Sequence, residues 1–246
     1  MSKIDFPKVL VAAPQHESKN YCFKDWYDNV KNFTYPNFDV FISDNSDTKD
    51  NYNMLIGLGI KADHITKHKD GIFFKINESH NSCRKYALDN NYEYMLHLET
   101  DIIPPLDVIE RLMIHNKKVI GGVYDIFYGD KRKLMVQIDE EIPRTYNKFR
   151  TSEFIEESEC NLFDGTIKRV YHAGIGCMLI HRDILEKIPF RVVKGNNSHS
   201  DTWFANDCFQ FDIPIYIDTD IICEHKNFTW LNVVDDIREM EGSTIN

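Results

Sequence analysis

Short apolar runs alternate along the chain with stretches of helical period. Residues 9–13, 39–42, 94–98 and 119–124 are each brief and rich in β-branched or aromatic side chains, a pattern that predicts four buried strands. Between them, Tyr21, Trp26, Tyr27 and Val30 recur near helical spacing over 21–32, Cys83, Tyr86 and Ala87 over 79–90, and Val108, Ile109, Leu112 and Met113 over 106–116. These stretches predict amphipathic helices that cross from one strand to the next. Further on, 174–181 predicts a strand, 183–187 a short helix, 201–211 a longer helix and 213–217 a last strand. Such alternation makes the class α/β, with a mostly parallel central sheet flanked by helices and the ligand expected at the strand ends.

Two prolines and one polar stretch add detail. Pro104 and Pro105 stand just ahead of the third helix, where proline opens a helix without losing an internal hydrogen bond, so 99–105 is a strand-to-helix loop. From Phe127 to Ile167 the chain turns polar, with Lys131, Arg132 and Lys133, then Asp139, Glu140 and Glu141, then an acidic group over 153–159. A loop region this long inside a compact domain reads either as a partly mobile flap over a site or as a solvated insertion. The acidic tail beyond Trp230 is compatible with one docking helix, fraying over 242–246.

At 246 residues and 42% hydrophobic content the chain can bury a core, which excludes a disordered protein. A net charge of −10 makes the average surface repel phosphate backbones and anionic lipid, so nucleic acid is limited to a local basic patch. No apolar stretch approaches the roughly 20 residues of a bilayer span, and no signal-peptide core or lipidation motif is visible. A soluble, cytoplasmic chain with no membrane partner is the expectation. The six cysteines show no C-x-x-C pair, which leaves reduced, mostly buried thiols rather than a structural zinc site.

The segment from Tyr94 to Pro105 is a hydrophobic strand that ends in two carboxylates, Glu99 and Asp101, on either side of Thr100. Mg²⁺ and Mn²⁺ take oxygen ligands, often one or two carboxylates plus substrate phosphates. The pair is therefore a candidate clamp for a metal and a diphosphate; alone, it reads better as a solvated loop that caps the next helix.

The order of segments around this pair resembles GT-A glycosyltransferases, especially the inverting class of family two and its virus-encoded relatives, over roughly 9–227. Val9 to Gln15 resembles the first strand and its nucleotide-binding turn, which implies donor contacts at Ala13, Pro14 and Gln15. Phe41 to Asp47 resembles the second strand end, which implies that Asp44 reads a nucleobase; an Asx-type turn is its structural alternative. Asn81 to Ala87 resembles the helix start that precedes the D-x-D strand end, and Arg84 there is implied to hold the diphosphate or the metal-binding carboxylates.

The resemblance further implies that Asp101 is a metal ligand and that Thr100 and Glu99 line the donor site. Glu99 is one methylene longer than the aspartate common in the family and is assigned to the ribose or, through water, to the metal. Tyr171 to Arg182 resembles the glycine-containing strand that approaches donor sugar and acceptor, which brings in Gly174, with His172 beside it. His199 to Phe209 resembles the acidic motif at a helix head that carries the base of inverting enzymes; Asp201 is the candidate and Asp207 is left structural. Ile213 to Lys226 resembles the last strand and the His that completes the metal site, here His225.

The implied architecture is one Rossmann-like GT-A domain over 1–246: a nucleotide-sugar-binding half at 1–125, the flap or insertion at 126–167, an acceptor and catalytic half at 168–230, and a tail at 231–246. The implied reaction is metal-dependent transfer, with Mn²⁺ or Mg²⁺, from a nucleoside-diphosphate sugar such as a UDP-sugar to an acceptor hydroxyl, with inversion. Two acceptors stay open. One is a saccharide or small glycoside, for which Trp203 and Phe204 are candidate stacking rings. The other is a hydroxylated base in DNA, for which Lys131, Arg132, Lys133, Arg144, Lys148 and Arg150 form a candidate phosphate stripe. The rival from another class is a non-catalytic nucleotide-sugar or carbohydrate binding protein on the same fold.

Overall fold

The structure, a computed structural model, describes residues 6–66, 71–128, 131–137, 164–196 and 198–226. Strand β1 (Val9–Gln15) leads through a 3-10 turn (Glu17–Lys19) into helix α1 (Asn20–Lys31), then β2 (Phe38–Asp44), α2 (Asp50–Gly57), β3 (Lys61–His64) and α3 (Ile72–Asp89). The chain continues through β4 (Tyr94–Leu98), β5 (Ile102–Ile103), α4 (Val108–Met113), β6 (Val119–Val123), β7 (Asp125–Tyr128), β8 (Lys131–Leu134) and β9 (Val136–Gln137). After residue 164 come β10 (Ile167–Val170), β11 (His172–Ala173), β12 (Cys177–His181), α5 (Arg182–Lys187), α6 (Ser200–Gln210), β13 (Ile215–Ile222) and β14 (Glu224–His225).

The main sheet runs β10-β13-β6-β12-β4-β1-β2-β3. Its pairings are parallel except those of β12 with β4 and β6 and of β10 with β13. β1 is buried along its whole length, as a strand covered on both faces must be. Its residues alternate between two cores. Val9, Val11 and Ala13 pack with Phe23, Trp26 and Val30 of α1, whose spacing makes one helix face; Leu10 and Ala12 join Cys83 and Ala87 of α3 and Phe204, Ala205 and Cys208 of α6.

The chain leaves β1 toward β2 on one side and later returns to place β4 on the other. In an open α/β sheet, ligands bind at such a switch of direction, beyond the strand C-termini. There Gln15 ends β1, Asp44 ends β2 and Glu99 follows β4.

Several boundaries differ from the sequence expectation. α3 begins at Ile72 rather than near 79, and β13 extends to Ile222 because Asp218, Thr219 and Asp220 hide a strand that is still largely buried. α2 and β3 were not foreseen: β3 is the polar edge strand Lys-Ala-Asp-His, with no apolar run to mark it. The start of the expected flap is a hairpin, β7 paired antiparallel with β8. The rest of it, 138–163, lies outside the described residues, as do Arg144, Lys148 and Arg150 of the basic stripe and the tail from 227. Cys22, Cys83, Cys177, Cys208 and Cys223 are buried free thiols. Among the described residues no helix is long and apolar enough to cross a membrane.

Candidate active site

Three loops are tied together at the C-terminal edge of β1 and β4. Thr100 Oγ1 donates to Gln15 Oε1, and Gln15 Nε2 donates to Asn20 Oδ1 at 2.9 Å. Cys22 Sγ donates to the carbonyls of Lys19 and Thr100 at 3.2 and 3.4 Å. The Asn45 amide bonds the Gln15 carbonyl at 2.8 Å, and Asn45 Nδ2 bonds Ser79 Oγ of α3 at 3.2 Å. Gln15 and Thr100 thus help to fix the turn between Glu99 and Asp101.

The ladder between β5 and β14 brings the distant His225 to this turn. His225 pairs with Ile102, and the Lys226 amide donates to the Asp101 carbonyl at 2.8 Å. His225 Nε2 lies 3.6 Å from Asp101 Oδ2, while its Nδ1 lies 2.6 Å from the Asp125 carbonyl. A carbonyl only accepts, so Nδ1 carries the proton and, in the neutral ring, the Nε2 lone pair faces Asp101. Burial lowers the His225 pKa, but the bond to Asp101 and its charge outweigh that and raise it above the ordinary value.

The sequence reading missed Lys19. Its ammonium lies 2.9 Å from Asp101 Oδ2 and 3.2 Å from Glu99 Oε2. Burial opposes the lysine charge, yet the charges of Asp101 and Glu99 prevail and hold its pKa above the usual range. For Asp101, burial pushes the pKa up, and Lys19 with His225 reverses this and holds the carboxyl below its ordinary value. No motif marked Lys19, because a single lysine ahead of a helix reads as surface.

Asp201 stands in the first turn of α6 and accepts from the Thr202 amide at 2.6 Å and the Thr202 hydroxyl at 3.2 Å. The N-cap of α6 is His199. The charge of Asp201, like those of Glu99 and Asp101, acts on the buried Tyr124 hydroxyl. Burial first, then these charges, raise the tyrosine pKa well above its ordinary value.

Other expected residues have different work. Asp44 is fully buried and its oxygens are occupied: Oδ1 accepts from the Ser46 amide, the Ser46 hydroxyl and Asn51 Nδ2, and Oδ2 lies 2.6 Å from His64 Nδ1. This geometry matches the Asx-type turn alternative. Arg84 lies against α5. Its Nε donates to the Leu185 carbonyl at 2.5 Å and Nη2 to the Glu186 carbonyl at 3.4 Å, at the end of α5. The α3 cation at the ligand edge is instead Lys75, 3.0 Å from Asp47 and about 13 Å along the helix from Arg84 at 1.5 Å rise per residue.

Ala13 is enclosed in the core and Pro14 is a buried strand residue paired with Ser43. Gly174 is small for a reason internal to the protein: a Cβ there would strike the Tyr124 hydroxyl and, at 2.5 Å, Met135 Cγ. Gly176 meets the same hydroxyl, to which its amide donates at 3.0 Å. Trp203 and Phe204 are buried in the interior and offer no ring to a sugar. His172 is buried in the short β11–β9 ladder. Asp207 is structural as expected, held by Arg191 Nε and Nη2 at 2.7 Å each.

The donor set suits a hard divalent cation. Asp101 Oδ1 is buried without a hydrogen-bond partner, and Oδ2 faces an imidazole nitrogen. Among the described residues no three His, Cys, Asp or Glu side chains converge as a ready-made metal cluster. A site with one carboxylate and one imidazole fits a cation that completes its shell with substrate phosphates and water.

No protein-family model matches the sequence, and no curated protein matches it. Solved structures share the fold. The chain superposes on S. aureus TarS 1–349 with a TM-score of 0.56 and 13% identity, covering 89% of this chain and 60% of that one. On the same protein in complex with UDP-GlcNAc the values are 0.55 and 12%, over 88% of this chain and 58% of that one. A197 from STIV aligns with a TM-score of 0.46 and 13% identity over 89% of this chain and 85% of that one. The chain therefore spans about three fifths of TarS 1–349, and the fold is the Rossmann-like GT-A type, a central, mostly parallel sheet flanked by helices.

Proposed function

We propose that this protein is a glycosyltransferase that moves a sugar from a nucleoside-diphosphate sugar, a UDP-sugar by preference, to an acceptor hydroxyl of a saccharide or small glycoside. The observation that carries the reading is the meeting of Glu99, Asp101, His225 and Lys19 at the switch point of the sheet, where β1 and β4 end side by side. The complex of a protein of this fold with UDP-GlcNAc supports the donor class.

Asp101 and His225 would hold Mn²⁺ or Mg²⁺. When bound, such a cation neutralises the charge that builds on the leaving diphosphate. Lys19 adds a second positive charge on the same side. Glu99 reaches the donor ribose. Asp201, oriented by its bonds to Thr202, takes the proton of the acceptor hydroxyl. That oxygen forms its bond to the anomeric carbon as the bond from that carbon to the diphosphate oxygen breaks, on the opposite face, so the configuration inverts.

The test is release of UDP from UDP-sugars with and without acceptor. Wild type should release UDP, and Asp201→Asn should lose turnover by about a hundredfold or more, the usual scale for a lost general base, while still binding donor. Donor binding with no release by wild type would make the protein a nucleotide-sugar binder instead.

A further inference from the structure

Lys19 occupies a position that does not favour a cation. It closes the 3-10 turn and immediately precedes the 12-residue α1, at the helix end where aligned peptide dipoles leave positive charge. Its side chain is only 15% exposed, and desolvating an ammonium is costly. The two carboxylates offset both penalties. They are also the groups through which a divalent cation and the donor would be held.

The backbone of Lys19 is fixed while its side chain is long. Its amide donates to the His16 carbonyl at 2.9 Å, and its carbonyl accepts from Cys22 Sγ. Beyond Cα the flexible four-carbon stem lets the ammonium change partners without moving the loop. Asp101 divides its oxygens unevenly: Oδ2 is engaged by Lys19, and Oδ1 is buried with no hydrogen-bond partner. The carboxylate is thus neutralised but not saturated.

We propose that Lys19 is an exchangeable counter-ion. In the nucleotide-free protein its ammonium offsets half the charge of Glu99 and Asp101 and suppresses binding of a divalent cation. The diphosphate of an arriving donor then draws the ammonium away from the carboxylates, so that metal and nucleotide bind as a pair. This inference rests on the donor site proposed above.

The charges give the reason. Glu99 and Asp101 supply two negative charges and Lys19 returns one, so a dication entering beside the ammonium gains less attraction and meets repulsion at the shared oxygen. A diphosphate supplies new negative charge to both cations at once. By linkage, nucleotide then raises metal affinity by the same factor that metal raises nucleotide affinity. Without Lys19 the competitor is gone, so metal should bind alone and the coupling should shrink.

The experiment is titration of free Mn²⁺ by electron paramagnetic resonance into wild type, Lys19→Met, Lys19→Gln and Lys19→Arg, each with and without UDP, after circular dichroism has verified the fold. The expected result without UDP is Mn²⁺ binding about tenfold tighter in the Met or Gln variant than in wild type, the scale of ordinary site-to-site coupling. UDP should tighten Mn²⁺ binding strongly in wild type and Lys19→Arg and weakly in the neutral variants. Equal or weaker Mn²⁺ binding by both neutral variants would overturn the proposal. Should UDP fail to bind wild type in the presence of Mn²⁺, the donor-site reading falls, and the UDP-free comparison still decides whether Lys19 competes with the metal.

Discussion

His225 Nε2 lies 3.6 Å from Asp101 Oδ2, and the contact is set by backbone: the β5–β14 ladder fixes the register, and the Asp125 carbonyl fixes the ring through Nδ1. Replacing His225 with Ala should weaken Mn²⁺-supported donor binding by at least about tenfold, in line with losses seen when metal-site groups are removed. Calorimetry with and without Mn²⁺ measures this directly. Binding of donor unaffected by the substitution would place the metal elsewhere.

Arg84 and Asp44 should behave as structural residues. Arg84→Ala removes bonds to two α5 carbonyls and should leave donor affinity unchanged. Asp44→Ala strips Ser46, Asn51 and His64 of a shared buried acceptor and should cost about 2–4 kcal/mol of stability, the scale for breaking a buried charged hydrogen-bond network. Urea unfolding of the two variants beside a donor-binding assay separates the roles.

Gly174→Ala should destabilise the protein by about 1–3 kcal/mol, because the new methyl overlaps the Tyr124 hydroxyl and Met135. Gly174→Ala should cost less in a Tyr124→Phe background than in wild type, although Tyr124→Phe alone strips the Gly176 amide of its acceptor. The midpoint of chemical denaturation in the single and double variants reads out both.

His80 and His97 give stability a pH dependence. The rings stack edge to face at 4.8 Å, His80 Nδ1 lies 2.6 Å from Ser200 Oγ, and His97 Nδ1 lies 2.7 Å from the Ile175 carbonyl. Burial, foremost, lowers both pKa values; His97, His199 and Lys19 lower His80 further, while Glu99 and Asp201 partly counteract the effect at His97. A depressed folded-state pKa means that the unfolded chain takes up protons first. The contribution is fully present above the ordinary value of 6.5 and is lost as pH falls below it toward the folded-state values. Unfolding free energy should therefore drop between about pH 7 and pH 5, and His97→Asn should flatten the drop.

The sheet was legible because its central strands are buried on both faces and so appear as uninterrupted apolar runs, as in β1 and β4. The edge strand β3 and the far half of β13 were not, since their polar residues carry no period that separates strand from loop. In the site, the place of Glu99, Thr100 and Asp101 just after a strand was legible, whereas their meeting with His225 comes from the β5–β14 ladder. The bonds that hold Asp44 and Arg84 were not legible, because a sequence shows what a side chain can bond and not what already bonds it. Lys19 was missed for the converse reason: its partners Glu99 and Asp101 are distant in the chain, and only the fold brings them to it.

The most direct test of the central claim is calorimetric titration of a panel of nucleoside-diphosphate sugars into wild type and Asp101→Ala, with and without Mn²⁺. The account predicts that one donor, a UDP-sugar by preference, binds wild type more tightly with Mn²⁺ and that Asp101→Ala abolishes this gain. Absence of binding by every nucleotide sugar under both conditions would contradict it, and the turn from Glu99 to Asp101 would then be a structural turn held by Lys19.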